Sequence, residues 1–371
     1  MNLIYFDNNA TTQVAPQVLA KMNEVFALPM NSAAAHQMGR KGNALVEEAR
    51  KNLKGLLNAK TFEIVFTASA TEASNMLIHG VEAETILVSK IEHPAIFSCR
   101  PQNKKFIEIE VLENGLIDIS DLQEKLEKFS TANFLVSVML ANNETGAIQP
   151  IAEIAKLVHQ KGGLMHSDIV QAVGKIEIDL EKLNVDFASV SAHKLHGPQG
   201  VGALLFRKGL DIKPLIVGGK QEKSKRAGTT NVAGVAGFGE ACKLAKEKIS
   251  TYEKVKNLRD FLEKEIRKIG GNNIEIFSDS VERLPNTSYI AIRNVDSQTQ
   301  LINFDLNEIC VSAGSACSSG TLVESRILKA MNVDPSFSSS AIRISLSPDN
   351  TEDEVNKFIK IWGEFYHKQQ L

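Results

Sequence analysis

The sequence predicts an α/β protein: a large domain with a mainly parallel central sheet flanked by helices, plus a smaller α+β domain. Three observations carry this. Short β-prone apolar runs alternate with helical periods from about residue 64 to residue 206, the pattern of buried parallel strands joined by helices. Beyond about Gly237 the texture changes to long amphipathic helices, followed by short strand-like runs. The 371 residues, 43% of them hydrophobic, are ample for about two cores. We place the large domain over residues 16–250 and the small domain over residues 1–15 and 251–371.

In chain order, a short strand-like start leads to the polar turn cluster Asp7-Asn8-Asn9-Ala10-Thr11-Thr12. Val18, Met22, Val25 and Phe26 then give helical spacing over Val14 to Leu28. An irregular loop is expected from Pro29 to about Gly39, and a second amphipathic helix from Ala44 to Leu57. Ile64–Thr67 reads as a strand, Ala68–Thr71 as a loop and Glu72–Gly80 as a helix. Further strands are expected at Ile86–Ser89, Phe106–Val111, Phe134–Leu140, Gly163–His166, Phe187–Val190 and Val201–Phe206. Ile151, Ile154, Ala155, Leu157 and Val158 line one face of a helix. In the small domain, Val255, Leu258, Leu262 and Ile266 mark a long helix. Strand-like runs follow at Ile274–Phe277, Thr287–Ile292, Cys310-Val311 and Ile342–Leu346, and a helix runs from Glu352 to Phe365.

A formal net charge of -2 and a pI near 6.5 give no basic footprint for nucleic acid and no polybasic membrane patch. Neither a basic-then-apolar leader in Met1–Asp7 nor an apolar run of ~18 residues is present, so a cytoplasmic protein is expected. Cys99, Cys242, Cys310 and Cys317 form no C-x-x-C pair, which argues against zinc and disulfides, and no metal site is expected.

The stretch Ser191-Ala192-His193-Lys194-Leu195-His196-Gly197-Pro198-Gln199-Gly200 holds a lysine between two strands. An amine crowded by histidines and backbone can lose solvation and have its pKa lowered, as Schiff-base chemistry requires; alone, it reads first as a solvated turn lysine. Ala68-Ser69-Ala70-Thr71-Glu72 places N–H groups and the Thr71 hydroxyl at a helix start, an anion site or a simple cap. Asp168 and Gln171 follow a strand, where a carboxylate can pair with a protonated ring nitrogen. Asn143 lies past another strand. His93, held extended before Pro94, can lie against a flat ring. Cys317 sits in the small-residue run Ser312–Gly320, a setting for a mobile nucleophile as much as for a buried thiol. Arg343 can clamp a carboxylate through two donors.

Taken in order, Ala70-Thr71-Glu72, His93, Asn142-Asn143-Glu144, Asp168-x-x-Gln171, Ser191-Ala192-His193-Lys194, Arg226-Ala227-Gly228-Thr229 and Ser315-Ala316-Cys317 resemble the NifS/IscS-type cysteine desulfurases. The resemblance runs from Asp7 to Leu346. It implies the fold-type-I architecture of pyridoxal 5'-phosphate (PLP) enzymes in the class V aminotransferase group, usually a homodimer. It further implies that Lys194 bonds to the cofactor and moves the substrate Cα proton. Ala70, Thr71, Ser191 and His193 would hold the phosphate, joined by Thr229 from the partner subunit. Asp168 would pair with the pyridinium, Gln171 would contact the ring hydroxyl and His93 would stack on the ring and assist catalysis. Asn143 and Arg343 would clamp the carboxylate of L-cysteine, and Cys317 would take its sulfur as a persulfide for a sulfur acceptor protein such as an iron–sulfur scaffold. As the sequence closes soon after Arg343, the long tail by which some relatives engage a scaffold is not expected. Two rival readings keep the fold: a selenocysteine lyase or aminotransferase that uses Lys194 without Cys317, and a sulfur-relay or scaffold-binding protein without turnover.

Overall fold

The computed structural model describes residues 3–129, 133–314 and 325–369. Its seven-stranded sheet runs in the order Phe62–Thr67, Gly202–Arg207, Phe187–Ser191, Leu164–Asp168, Phe134–Ser137, Thr85–Ser89 and Lys105–Ile109. The last five are mutually parallel, and Gly202–Arg207 alone runs against the other six strands. Strands buried on both faces need apolar side chains on both, which is why they read as continuous apolar runs. One face packs against the helices Pro16–Phe26, Gln37–Leu56, Ile151–Gln160 and Val232–Lys248. The other is covered by the helix Ala70–Gly80 and the short helix Pro94–Phe97.

A four-stranded antiparallel sheet, Ser312–Ala313, Ala341–Ser345, Thr287–Ile292 and Ile274–Ile276, organises a second core. Helices Tyr252–Gly270 and Glu352–Gln369 pack on it through Val255, Leu262, Phe358 and Trp362. Ile4 and Phe6 join this core, and Ile4–Tyr5 pairs with Ile309–Cys310.

Some boundaries move. The helix expected from Glu72 starts at Ala70, because Ser69 is its N-cap and accepts from the Glu72 N–H at 3.1 Å. The second helix starts at Gln37, ahead of the apolar period at Ala44, with the His36 ring accepting from Gly39 N–H at 3.2 Å. The texture change near Gly237 resolves into two helices: Val232–Lys248 buries its face in the large core, and Tyr252–Gly270 in the small one.

Every parallel strand points its C-terminal end to the same edge, so the loops after Thr67, Ser89, Ser137, Asp168 and Ser191 gather there, the usual place for a ligand in an open α/β sheet. Gly202 lets one of these loops sit close: a Cβ on it would lie 2.5 Å from the Ser69 carbonyl carbon and 2.7 Å from Ala70 N. Gly202→Val is therefore expected to cost about 1–3 kcal/mol, read as an earlier midpoint in urea unfolding.

Candidate active site

Ser69, Ala70, Thr71, His93, Asn143, Asp168, Gln171, Ser191, His193 and Lys194 line one cavity of about 200 Å³ at the C-terminal edge of the sheet. The wall at residues 69–72 is a variant of the capping box: Ser69 Oγ accepts from Glu72 N–H, and Glu72 Oε2 accepts at 2.8 Å from the N–H of Ala68, one residue before the N-cap. Arg226 donates to the other oxygen of Glu72 at 2.8 Å. The Ala70 and Thr71 N–H groups, in the first turn, have no intrahelical acceptor and remain for an anion at the positive end of the helix. Ser191 ends its strand beside them, and Ala192–Lys194 form a single 3₁₀ turn. The segment Asp7–Thr12 pins this turn: Thr12 Oγ1 donates to the His193 carbonyl at 2.9 Å, and the His193 ring meets Thr11 Oγ1 at 3.1 Å.

The Lys194 amine donates to the carbonyls of Asn9 and Ala10, the latter at 2.7 Å. Burial pushes its pKa down to about 8; Arg343 pushes the same way, while Asp7 and Asp168 oppose both. Asp168 moves oppositely, up to about 6 through burial, against the Val170 N–H, which donates to Oδ1 at 2.9 Å, and Lys194. It pairs with no cation among the described residues at salt-bridge distance. Burial, then Lys194, lowers His193 to about 4. His93, also lowered to about 4 by burial, Lys194 and Arg326, accepts from the Ala95 N–H through Nδ1 at 3.1 Å, so its neutral ring carries the proton on Nε2. So weak a base suits stacking better than deprotonating a thiol.

Arg343 lies next to the cavity, not on its wall: it donates to the Asn143 carbonyl at 3.0 Å and to Asp7 Oδ1 at 2.7 Å, and its buried Nε has no partner among the described residues. Thr229 is not brought in by the chain itself; it is exposed on a separate hollow with Phe66, Gly200, Glu222 and Arg226. Cys317 lies outside the described residues. Sequence reasoning overlooked Asp7, Asn9 and Lys175 as individual site groups; their burial and partners come from segments far apart in the chain, and only the polar run at residues 7–12 hinted at them. A larger hollow of about 910 Å³ lies between Lys175–Glu177 and the helix Tyr252–Gly270, but its Arg259 and Arg283 are already paired with Asp260 and Glu263.

A desolvated lysine at the edge of an open sheet, an anion-binding helix start and a buried carboxylate define a protein built for amine–carbonyl chemistry on a phosphate-bearing heteroaromatic cofactor. The chain belongs to the aminotransferase class-V family, whose model matches residues 4–358. It is 37% identical to a cysteine desulfurase of Nostoc sp., covering 99% of this chain and 94% of that protein. It is 38% identical to cysteine desulfurase IscS of Dictyoglomus turgidum, covering 98% and 95%. Its fold superimposes on the crystal structure of a NifS-like protein from Rickettsia africae with a TM-score of 0.92 and 39% identity, covering 99% of this chain and all of that one.

Such proteins depend on PLP, and the residues present fit it. Asp168, buried without a cationic partner among the described residues, suits a protonated ring nitrogen, and the first-turn N–H groups of Ala70 and Thr71 suit a phosphate. In the cofactor-free protein, Lys194 is an ammonium below pH 8 and a free amine above it. Its labelling by trinitrobenzenesulfonate, followed by peptide mass spectrometry, is expected to reach half its limiting rate near pH 8, whereas exposed lysines rise toward about 10.4.

Proposed function

We propose that this protein is a PLP-dependent L-cysteine desulfurase that releases L-alanine and keeps the sulfur as a persulfide on Cys317 for delivery to an acceptor protein. The observation that carries the reading is the gathering of Lys194, Asp168 and the Ala70–Thr71 helix start around one cavity, in a chain that aligns over nearly its whole length with cysteine desulfurases.

Ala70, Thr71, Ser191 and His193 hold the cofactor phosphate, Asp168 the ring nitrogen, Gln171 the ring hydroxyl, and His93 the ring face. Bound there, PLP supplies an aldehyde that takes up amines and a ring that withdraws electrons from the amino-acid Cα. Lys194, with its pKa lowered to about 8, is populated as a free amine near neutral pH and takes the Cα proton. Arg343, already beside the Asn143 carbonyl, offers guanidinium N–H donors to the substrate carboxylate. The Cys317 thiolate attacks the substrate sulfur: an S–S bond forms, the C–S bond breaks, and the carbon keeps the electron pair and is protonated to give alanine. The persulfide then passes to an iron–sulfur scaffold or another sulfur carrier.

Residues 16–250 act as the cofactor-binding domain, and residues 1–15 with 251–371 as the small domain that bears Cys317. The exposed position of Thr229 favours a homodimer in which it serves the partner's phosphate site. No helix among the described residues is long and apolar enough to cross a membrane, in keeping with a cytoplasmic role.

Mixing protein, PLP and L-cysteine with a thiol reductant is expected to give alanine and sulfide in equal amounts. Alanine without matching sulfide refutes the assignment. Lys194→Ala is expected to abolish turnover. Cys317→Ser should keep the visible absorbance of the bound cofactor and lose sulfide release, and full sulfide release by that variant refutes the persulfide step. Arg343→Ala is expected to raise KM for cysteine by about tenfold or more, the loss of a charge-assisted contact of roughly 1.5–3 kcal/mol.

A further inference from the structure

Lys175 is a second buried lysine that the reaction above does not use. It is 2% exposed and lies four residues after Gln171. Its Nζ is 2.8 Å from Asn9 Oδ1 and 3.1 Å from Gln171 Oε1. Both are acceptor oxygens, so the lysine nitrogen donates in both contacts. Burial, with Lys194 and Arg343 nearby, also holds its pKa well below the usual lysine range, and protonated or neutral it still has two N–H groups to give.

We propose that Lys175 is a positioning residue that fixes which end of the Gln171 amide faces the cofactor. The side chains around it permit one arrangement. Asn9 cannot turn over, because its Nδ2 faces Thr287 Oγ1 at 2.9 Å and the Asn143 carbonyl at 3.3 Å, while its Oδ1 receives Lys175 and Asn286 Nδ2. Gln171 is held in the same way: Oε1 receives Lys175, and Nε2 donates to the Asn9 carbonyl at 3.1 Å. One N–H of that amide is thereby committed to Asn9 and the other is left for the cavity that Gln171 lines. A ring hydroxyl ionised to an oxyanion needs that donor and is repelled by an amide oxygen. With Lys175 gone, Oε1 is buried without a donor and the Asn9 carbonyl alone holds the amide, so its second N–H is no longer fixed toward the cavity. Because the Asn9 carbonyl also holds the Lys194 amine, the same lock fixes where that amine rests.

This inference rests on the proposed contact of Gln171 with the ring hydroxyl, and the test separates the two. Cofactor-free wild type, Lys175→Met and Lys175→Arg are titrated with PLP and with 3-deoxypyridoxal phosphate, which lacks the ring hydroxyl, and Kd is read from protein fluorescence. Wild type is expected to prefer PLP by about tenfold, the worth of one hydrogen bond to a charged group. Lys175→Met is expected to lower that preference to about threefold or less, with little change in Kd for the deoxy compound. Lys175→Arg, a donor without an acceptor, keeps the preference. In a Gln171→Ala background, Lys175→Met is expected to change the ratio no further. A wild type that does not discriminate overturns the Gln171 contact and the lock together. A discriminating wild type with an equally discriminating Lys175→Met overturns the lock alone. If Lys175→Met does not fold, as judged by circular dichroism, Lys175→Leu, which likewise has no donor, is held to the same criterion.

Discussion

Asn9 is where the two cores are fastened to each other and to the candidate active site. Its backbone N–H donates to Ser345 Oγ and its side chain to Thr287 Oγ1, both in the four-stranded sheet. Its carbonyl receives Gln171 and Lys194, and its Oδ1 receives Lys175, all from segments that follow strands of the seven-stranded sheet. On either side, Asp7 holds Arg343 and Thr12 holds the turn that carries Lys194. Asn9, Thr12, Gln171, Lys175 and Arg343 are buried, and each would cost free energy if left unpaired, so the segment 7–12 has one place in which it can sit. The position of Lys194 relative to Arg343 follows from that fastening, although the two belong to different sheets.

Burial is also the common cause of the site's electrostatics. It leads the shifts of Lys194 and both histidines toward the neutral form, and that of Asp168 toward the protonated acid. The amine near 8 and the acid near 6 are brought close to neutrality from opposite sides, as acid–base chemistry at physiological pH requires. A cationic ring nitrogen beside Asp168 would restore the carboxylate by pairing. The dry surroundings thus loosen the proton on the lysine, whereas a protonated ring would be favoured by the Asp168 carboxylate and not by the dryness.

Much of this was legible in the sequence, for reasons that differ by element. The parallel strands announced themselves because burial on both faces demands unbroken apolar runs, as in Ile86–Ser89 and Phe187–Val190. The loop residues His93, Asn143, Asp168 and Lys194 could be nominated because each follows such a strand. Helix starts were less legible: Gln37 through Gly42 precede any apolar period, and His36 is not a usual cap residue. The contacts of Lys175 had no local signature at all, and those of Asn9 had only the polar run in which it sits. Asn9 reads as one more turn residue, and Lys175 as a charge after a glycine. Only the register that sets residue 9 beside residues 171, 286 and 345 gives them a role.

The fastening at Asn9 also sets an order of events during synthesis. Its partners are separated from it by as many as 336 residues, and Arg343 reaches Asp7 across the same span. The large core can close on the ribosome well before the strand Ala341–Ser345 has left the exit tunnel. Until then the strap beside Lys194 lacks its bonds to Arg343 and Ser345, so its Asp7–Asn9 end sets last, although the residues that line the cavity are all made early.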